Sequence, residues 1–231
     1  MSSPTVIVTG AFGALGQVLA RTLAAQGARL ALLDAAPAVP PTVAEAFGAY
    51  QLLAGVDLSR AESTRAAVDS VAARHGRIDG LVNVAGGFRW ETIDGGDPAT
   101  WQAMFSINVA TTLNACQAVL PHMLQGGGGR IVNVGAGAAA KAGLGMGAYA
   151  ASKAGVLRLT EALAEETKDK GITVNAVLPS IIDTPANRRD MPQADFTRWV
   201  TPEALADVIA FLLSDGARAI TGAGIPVSGR V

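Results

Sequence analysis

One cysteine, two histidines and 5% aromatic residues leave this 231-residue chain little from which to build a disulfide framework or a metal site. Cys116 has no second thiol to pair with, so the cysteine count gives no reason to expect an oxidising compartment. No grouping of His, Cys or carboxylates has metal-ligand spacing, and His75 and His122 read as helix-end or surface residues. An excess of one charge is missing too. Eighteen basic and 19 acidic residues give a net charge of −1, which offers no field for nucleic acid or an anionic membrane. No basic-then-apolar leader precedes Val6, and no apolar run approaches the ~20 residues of a membrane span, so a soluble, cytoplasmic protein is expected. What is plentiful is apolar residues, 50% of the total, with 27 glycines among the rest. That is enough for one sizeable core.

Short β-branched runs alternate with longer helical patterns. The runs Thr5–Val8, Arg29–Leu33, Gln51–Leu53, Ile78–Val84, Arg130–Val134, Thr173–Leu178 and Ile225–Val227 read as strands. Several are apolar throughout, as strands of a parallel sheet covered on both faces should be. Helical patterns fall at about 14–26, 60–75, 99–124, 148–169 and 201–214. The Pro-rich stretch Pro37–Pro41 leaves room for only a short helix between the second and third strands. Such alternation predicts a doubly wound α/β sheet with helices on both faces. It forms one domain over 1–231, with a variable loop at about 180–200.

Directly after the first strand, Thr9–Gly16 reads TGAFGALG and opens a helix. Glycines at 10, 13 and 16, with Phe12 and Leu15 between them, allow a tight turn and close approach of backbone to a pyrophosphate. The helix N-terminus adds free N–H groups and partial positive charge. Asp34 closes the second strand eighteen positions after Gly16, where a carboxylate accepts hydrogen bonds from ribose hydroxyls. A 2′-phosphate there would meet like charge, and no Lys or Arg at 11–15 or 35–38 offsets it. NAD(H) is therefore the expected cofactor. Asp57 and Leu58 follow the third strand and face the adenine end, or cap the next helix. Asn83, Ala85 and Gly86 end the fourth strand at the carboxyl edge of the sheet, where ligands bind in such folds.

The segment GAYAASKAG places Tyr149 and Lys153 four residues apart, on one face of a helix. A free phenol has a pKa of about 10, and a neighbouring ammonium is expected to lower it toward the working range for proton transfer.

With these pieces in order, the chain resembles the short-chain dehydrogenase/reductase family over nearly its whole length. The matching motifs are TGAFGALG, Asp34, DL at 57–58, NVAG at 83–86, Asn108 in SINVA, GRIVNV at 129–134, YAASK at 149–153 and NAVLPSIIDT at 175–184. The resemblance implies a seven-stranded Rossmann-like sheet of order 3-2-1-4-5-6-7 and hydride transfer involving a nicotinamide. Tyr149 would donate the proton, Lys153 would hold the ribose, and Asn108 would anchor a water of the proton relay. Pro179, Ile182 and Thr184 would meet the carboxamide end. It also implies pairing of the helices at 99–124 and 148–169 into a homodimer or homotetramer. One departure stands out. The family places a serine thirteen positions before the tyrosine, and here that position is Ala136, with no Ser or Thr anywhere from Arg130 to Ala148. Losing one preorganised donor to a developing oxyanion lowers the rate on the order of 100- to 1000-fold.

A reducible C=N group, which develops no alkoxide, fits that gap. The quinonoid dihydropteridine reductases resemble this chain there, with Gly135-Ala136, Gly145-Met146, the VAGG-aromatic run Val84–Phe88 and the late stretch Ala176–Trp199. The expected substrate is then a quinonoid dihydropterin or related cyclic imine, bound by Phe88, Ala136, Met146 and Trp199. The alternatives are carbonyl or alcohol chemistry with a donor from elsewhere, and a non-catalytic NAD(H)-binding regulator.

Overall fold

The seven apolar runs form one parallel sheet of order β3-β2-β1-β4-β5-β6-β7 in the computed structural model, which describes residues 3–231. The strands are β1 (Thr5–Thr9), β2 (Arg29–Leu33), β3 (Gln51–Leu53), β4 (Gly80–Asn83), β5 (Gly129–Val134), β6 (Ile172–Pro179) and β7 (Gly224–Val227). The helices are α1 (Ala14–Ala25), α2 (Pro41–Phe47), α3 (Ala61–His75), α4 (Pro98–Phe105), α5 (Thr111–Gln125), α6 (Gly147–Thr167), α7 (Pro185–Asp190) and α8 (Pro202–Leu213).

Strand side chains alternate between two cores. Val6, Val8, Leu30, Leu32, Val132 and Val134 face the core shared with α1, α2 and α8. Ile7, Ala31, Leu33, Leu81, Ile131 and Val174 face the core shared with α3, α5 and α6. Every residue of β1, β4 and β6 is buried, which is why these runs carry no polar face. The strand order reverses between β1 and β4, so a crevice opens at their carboxyl ends.

The fourth strand is shorter than its apolar run, and just before it Asp79 is tied to the start of the first strand. Its carboxylate accepts from Thr5 N (2.8 Å) and its backbone N–H donates to Thr5 O. Pro98–Gln125 forms one continuous helical stretch of 28 residues, widened to a π-turn at Ser106–Ala110. Contrary to the sequence expectation, this stretch is long and apolar enough in composition to cross a membrane. Its apolar residues are dispersed among Asn, Gln, Thr and His rather than gathered in a run. Half of it is buried, with Ala115, Cys116, Val119 and Met123 in the core shared with β4 and β5, as expected of a core helix.

Candidate active site

One continuous cleft of 1810 Å³ runs along the carboxyl ends of the strands, from Asp34 and Asp57 at one end to Tyr149 and Met191 at the other. Typical pockets for one small ligand occupy roughly 300–1000 Å³, so this one has room for a dinucleotide and a second molecule.

The glycine loop is shaped by contacts that only glycine permits. Gly10 has φ +61°, and a Cβ on it would lie 2.8 Å from Ala85 N. A Cβ on Gly16 would overlap Gly10 O and the backbone of Ala11. Helix α1 has no side-chain cap and no acidic residue in its first turn, so its leading N–H groups are open to an anion. Asp34 reaches back across the loop. Its Oδ2 accepts from Phe12 N (2.9 Å) and its Oδ1 from Ala36 N (3.0 Å). Asp57 lines the cleft and accepts from Ser59 N and Oγ, bonds that hold its carboxyl below the usual range. It does not cap α3, whose first turn has no side-chain cap. Leu58, Ala85, Gly86, Pro179, Ile182 and Thr184 line the cleft as well. These residues fit a dinucleotide: free helix N–H groups, glycines where a Cβ would collide, and a carboxylate at the end of the second strand.

Tyr149 and Lys153 both line the cleft on α6. The Lys153 ammonium donates to Val134 O (2.8 Å) and lies 6.0 Å from the centroid of the Tyr149 ring. Burial pushes the Lys153 pKa down to about 8 and the Tyr149 pKa up to about 12. The acidified phenol expected from the sequence is thus overturned for the protein alone. Both groups are desolvated, the amine is drawn toward a strand carbonyl, and burial outweighs their attraction. Burial therefore favours the protonated phenol. Phe88 meets it edge to face, with centroids 4.9 Å apart at 84°.

Ala136 lines the cleft within the run Gly135–Ala138, which carries no hydroxyl. Met146 lines it as well, next to the exposed side chain of Leu144.

Three expected site residues lie elsewhere. Asn83 does not reach the cleft. It is 2% exposed and donates to Asn133 Oδ1 (2.9 Å), which in turn belongs to a buried ladder ending on Thr160 of α6. Asn108 lies behind the wall, fully buried. Its amide closes a reciprocal pair with Gly87 N and O and donates to Ser152 Oγ (3.0 Å), while its carbonyl accepts from Thr112. It ties the end of β4 to α6 and presents no side-chain atom to the cleft. Trp199 is 6% exposed and packs against Phe196 with the rings tilted at 54° and centroids 4.8 Å apart, outside the cleft lining. The loop around it folds on itself through Asp183 N to Val200 O and Val200 N to Ile181 O, which turns the indole inward. Sequence reasoning also passed over Ser152. It accepts from Asn108 and donates to Tyr149 O (2.7 Å), and its three-residue spacing from Tyr149 was the available signal.

A glycine-lined phosphate cradle leading to a buried Tyr–Lys pair defines a dinucleotide-dependent oxidoreductase. The chain belongs to the short chain dehydrogenase family, whose model matches residues 4–195, and it is an NAD(P)-dependent enzyme of that family. It is 35% identical to nodulation protein G of Azospirillum brasilense, over 99% of this chain and 98% of that one. It is also 35% identical to D-threitol dehydrogenase of Mycolicibacterium smegmatis, over 99% and 93%. The solved structure of an NAD+-bound xylitol dehydrogenase superposes with a TM-score of 0.88 at 27% identity, covering 98% of each chain. The seven-stranded parallel sheet has the order expected from the sequence, and its fold is shared with that structure.

Proposed function

We propose that this enzyme is an NADH-dependent reductase of a flat, electron-poor C=N substrate, with a quinonoid dihydropterin or related cyclic imine as the best fit. The observation that carries the reading is the all-aliphatic run Gly135–Ala138, which lines the same cleft as Tyr149 and itself carries no hydroxyl to share an oxyanion. A bound reduced nicotinamide supplies the hydride. Tyr149 Oη, which keeps its proton, would supply the proton that completes reduction of the C=N system, whether hydride adds at carbon as in a simple cyclic imine or at nitrogen as in a quinonoid ring. Lys153, buried on Val134 O, supplies the positive charge and hydrogen bonding that hold a ribose beside the phenol. Phe88, Trp90, Leu144 and Met146 line the cleft and would give the substrate an apolar wall.

Asp34 supports NADH over NADPH, because both its oxygens already accept backbone N–H groups and none of residues 35–38 is cationic. The second reading is alcohol or ketone exchange. It draws support from the polyol dehydrogenase names of two relatives. The deciding experiment measures NADH oxidation with quinonoid dihydropterin and with a 3-oxoacyl thioester, and NAD+ reduction with D-threitol and xylitol. Turnover of the dihydropterin is expected. Turnover confined to the carbonyl or alcohol compounds would replace the imine reading with the second one.

We also propose a second copy of this chain as the cover for the outer face of α4 and α5. There Trp101, Phe105 and Leu113 stay exposed, an unusual concentration of large apolar side chains for a surface helix.

A further inference from the structure

The segment between β4 and α4 does more than line the cleft. A Cβ built on Gly145 would overlap the Trp90 indole at Cε2 and Nε1, so the indole fills the space a side chain would take. Gly145 also holds φ +69°, a conformation that strains any other residue. The backbones are joined at the same point, where Glu91 N donates to Gly145 O (2.8 Å). Two residues on, a Cβ on Gly147 would sit 3.3 Å from the Trp101 ring, at the start of α6. Met146 O accepts from Ala150 N (2.7 Å) and opens the helix. Tyr149 lies in that first turn. Phe88, from the same segment as Trp90, meets its ring edge-on. Trp90 is 57% exposed and meets the turn at Gly145, while Phe88 of the same segment meets the Tyr149 ring.

We infer that Trp90 is a positioning residue: its clasp on Gly145 fixes the first turn of α6 and so sets the depth and direction of the Tyr149 phenol behind the substrate. The inference rests on Tyr149 as the proton donor. Without the indole, the Gly143–Met146 turn loses its cover, and water reaches the phenol from the side that Phe88 and Trp90 now close.

The test compares Trp90→Ala, Trp90→Phe, Gly145→Ala and Tyr149→Phe as full-length enzymes. The assay is NADH oxidation with quinonoid dihydropterin, or with the 3-oxoacyl thioester should only carbonyls turn over. A small displacement of a reacting group lowers rates about 10- to 100-fold, so Trp90→Ala and Gly145→Ala should lose kcat on that scale. NADH affinity, measured by fluorescence titration, should stay at the wild-type level. In Trp90→Ala the alkaline limb of the pH–kcat profile should move to lower pH, because a hydrated phenol ionises more readily. Trp90→Phe should restore most of kcat. Unchanged kcat with a raised KM in Trp90→Ala would overturn the inference and leave the indole as a plain substrate contact. Loss of kcat with an unmoved alkaline limb and weakened NADH binding would overturn it in favour of general loosening. A fully active Tyr149→Phe would remove the donor assignment and this inference together. An inactive Tyr149→Phe beside an unaffected Trp90→Ala would remove this inference alone.

Discussion

At the residue scale, the pair on α6 is governed by burial. The Lys153 amine has a folded pKa of about 8 against an ordinary 10.5, so between these values the unfolded chain binds more protons than the folded one. Stability of the nucleotide-free protein therefore rises with pH across that window, by up to about 3 kcal/mol. Tyr149 acts in the opposite sense, with a folded pKa of about 12 against 10.0, and so lowers stability only as pH climbs above 10. Urea unfolding near pH 7.5 and near pH 9.5 should show the rise, and Lys153→Met should abolish it. A second outcome concerns the aliphatic run opposite the phenol. Ala136→Ser should leave imine reduction within about threefold of wild type, whereas a serine donor that mattered would raise the rate on the order of 100-fold or more. Steady-state kinetics with the dihydropterin separates the two.

At the element scale, the turn from β1 to α1 has no slack. Gly16 packs so closely on Gly10 O and Ala11 that Gly16→Ala must displace backbone rather than a side chain. Overpacking of this kind destabilises by about 1–3 kcal/mol, so melting should fall by roughly 2–10 °C. NADH affinity should fall about tenfold or more, because the displaced groups are those that cradle phosphate. Calorimetry and NADH titration check both. Regular elements of this type were legible in the sequence where periodicity and punctuation agreed. Arg29–Leu33 and Gln51–Leu53 match their apolar runs end for end, and α2 is as short as the prolines require. Helix α7 was not legible from periodicity, since PANRRD has no apolar face. Its signal lay in Thr184, which accepts from Asn187 N, followed by Pro185 at the first helical position. The π-widening at Ser106–Ala110 left no such mark. Site residues on the glycine turn and on α6 could be read because spacing alone places them. Trp199 could not, because which way an indole turns in a loop depends on Asp183–Val200 contacts made by neither residue's own pattern.

For the whole molecule, the cleft joins two halves whose rigidity comes from different sources. On the nucleotide side, backbone carbonyls and glycines set the shape. On the substrate side, side chains span the gaps. Arg188 holds Asp183 with two N–H bonds of 2.6 and 2.7 Å and lies 4.7 Å from the Phe196 ring centroid, so the loop after β6 is ordered by its own contacts. Between the halves, the Asn83–Asn133–Thr160 ladder links β4 and β5 to α6. The exposed apolar face of α4 and α5 belongs to this scale too. Light scattering after gel filtration should give a dimer or tetramer, and Phe105→Glu should shift it toward the monomer. A monomeric wild-type protein would refute the proposed cover.

The Asp34 carboxylate has a consequence for how such an enzyme can change. Because it braces Phe12 and Ala36 at the very position on which the proposed sorting of nucleotides by charge rests, selectivity and scaffold would be inherited as one trait. A lineage drifting toward the phosphorylated dinucleotide could not simply exchange this acid for a neutral residue. It would first have to supply new acceptors for two orphaned amides, so the proposed nucleotide preference would be guarded by architecture as well as by repulsion.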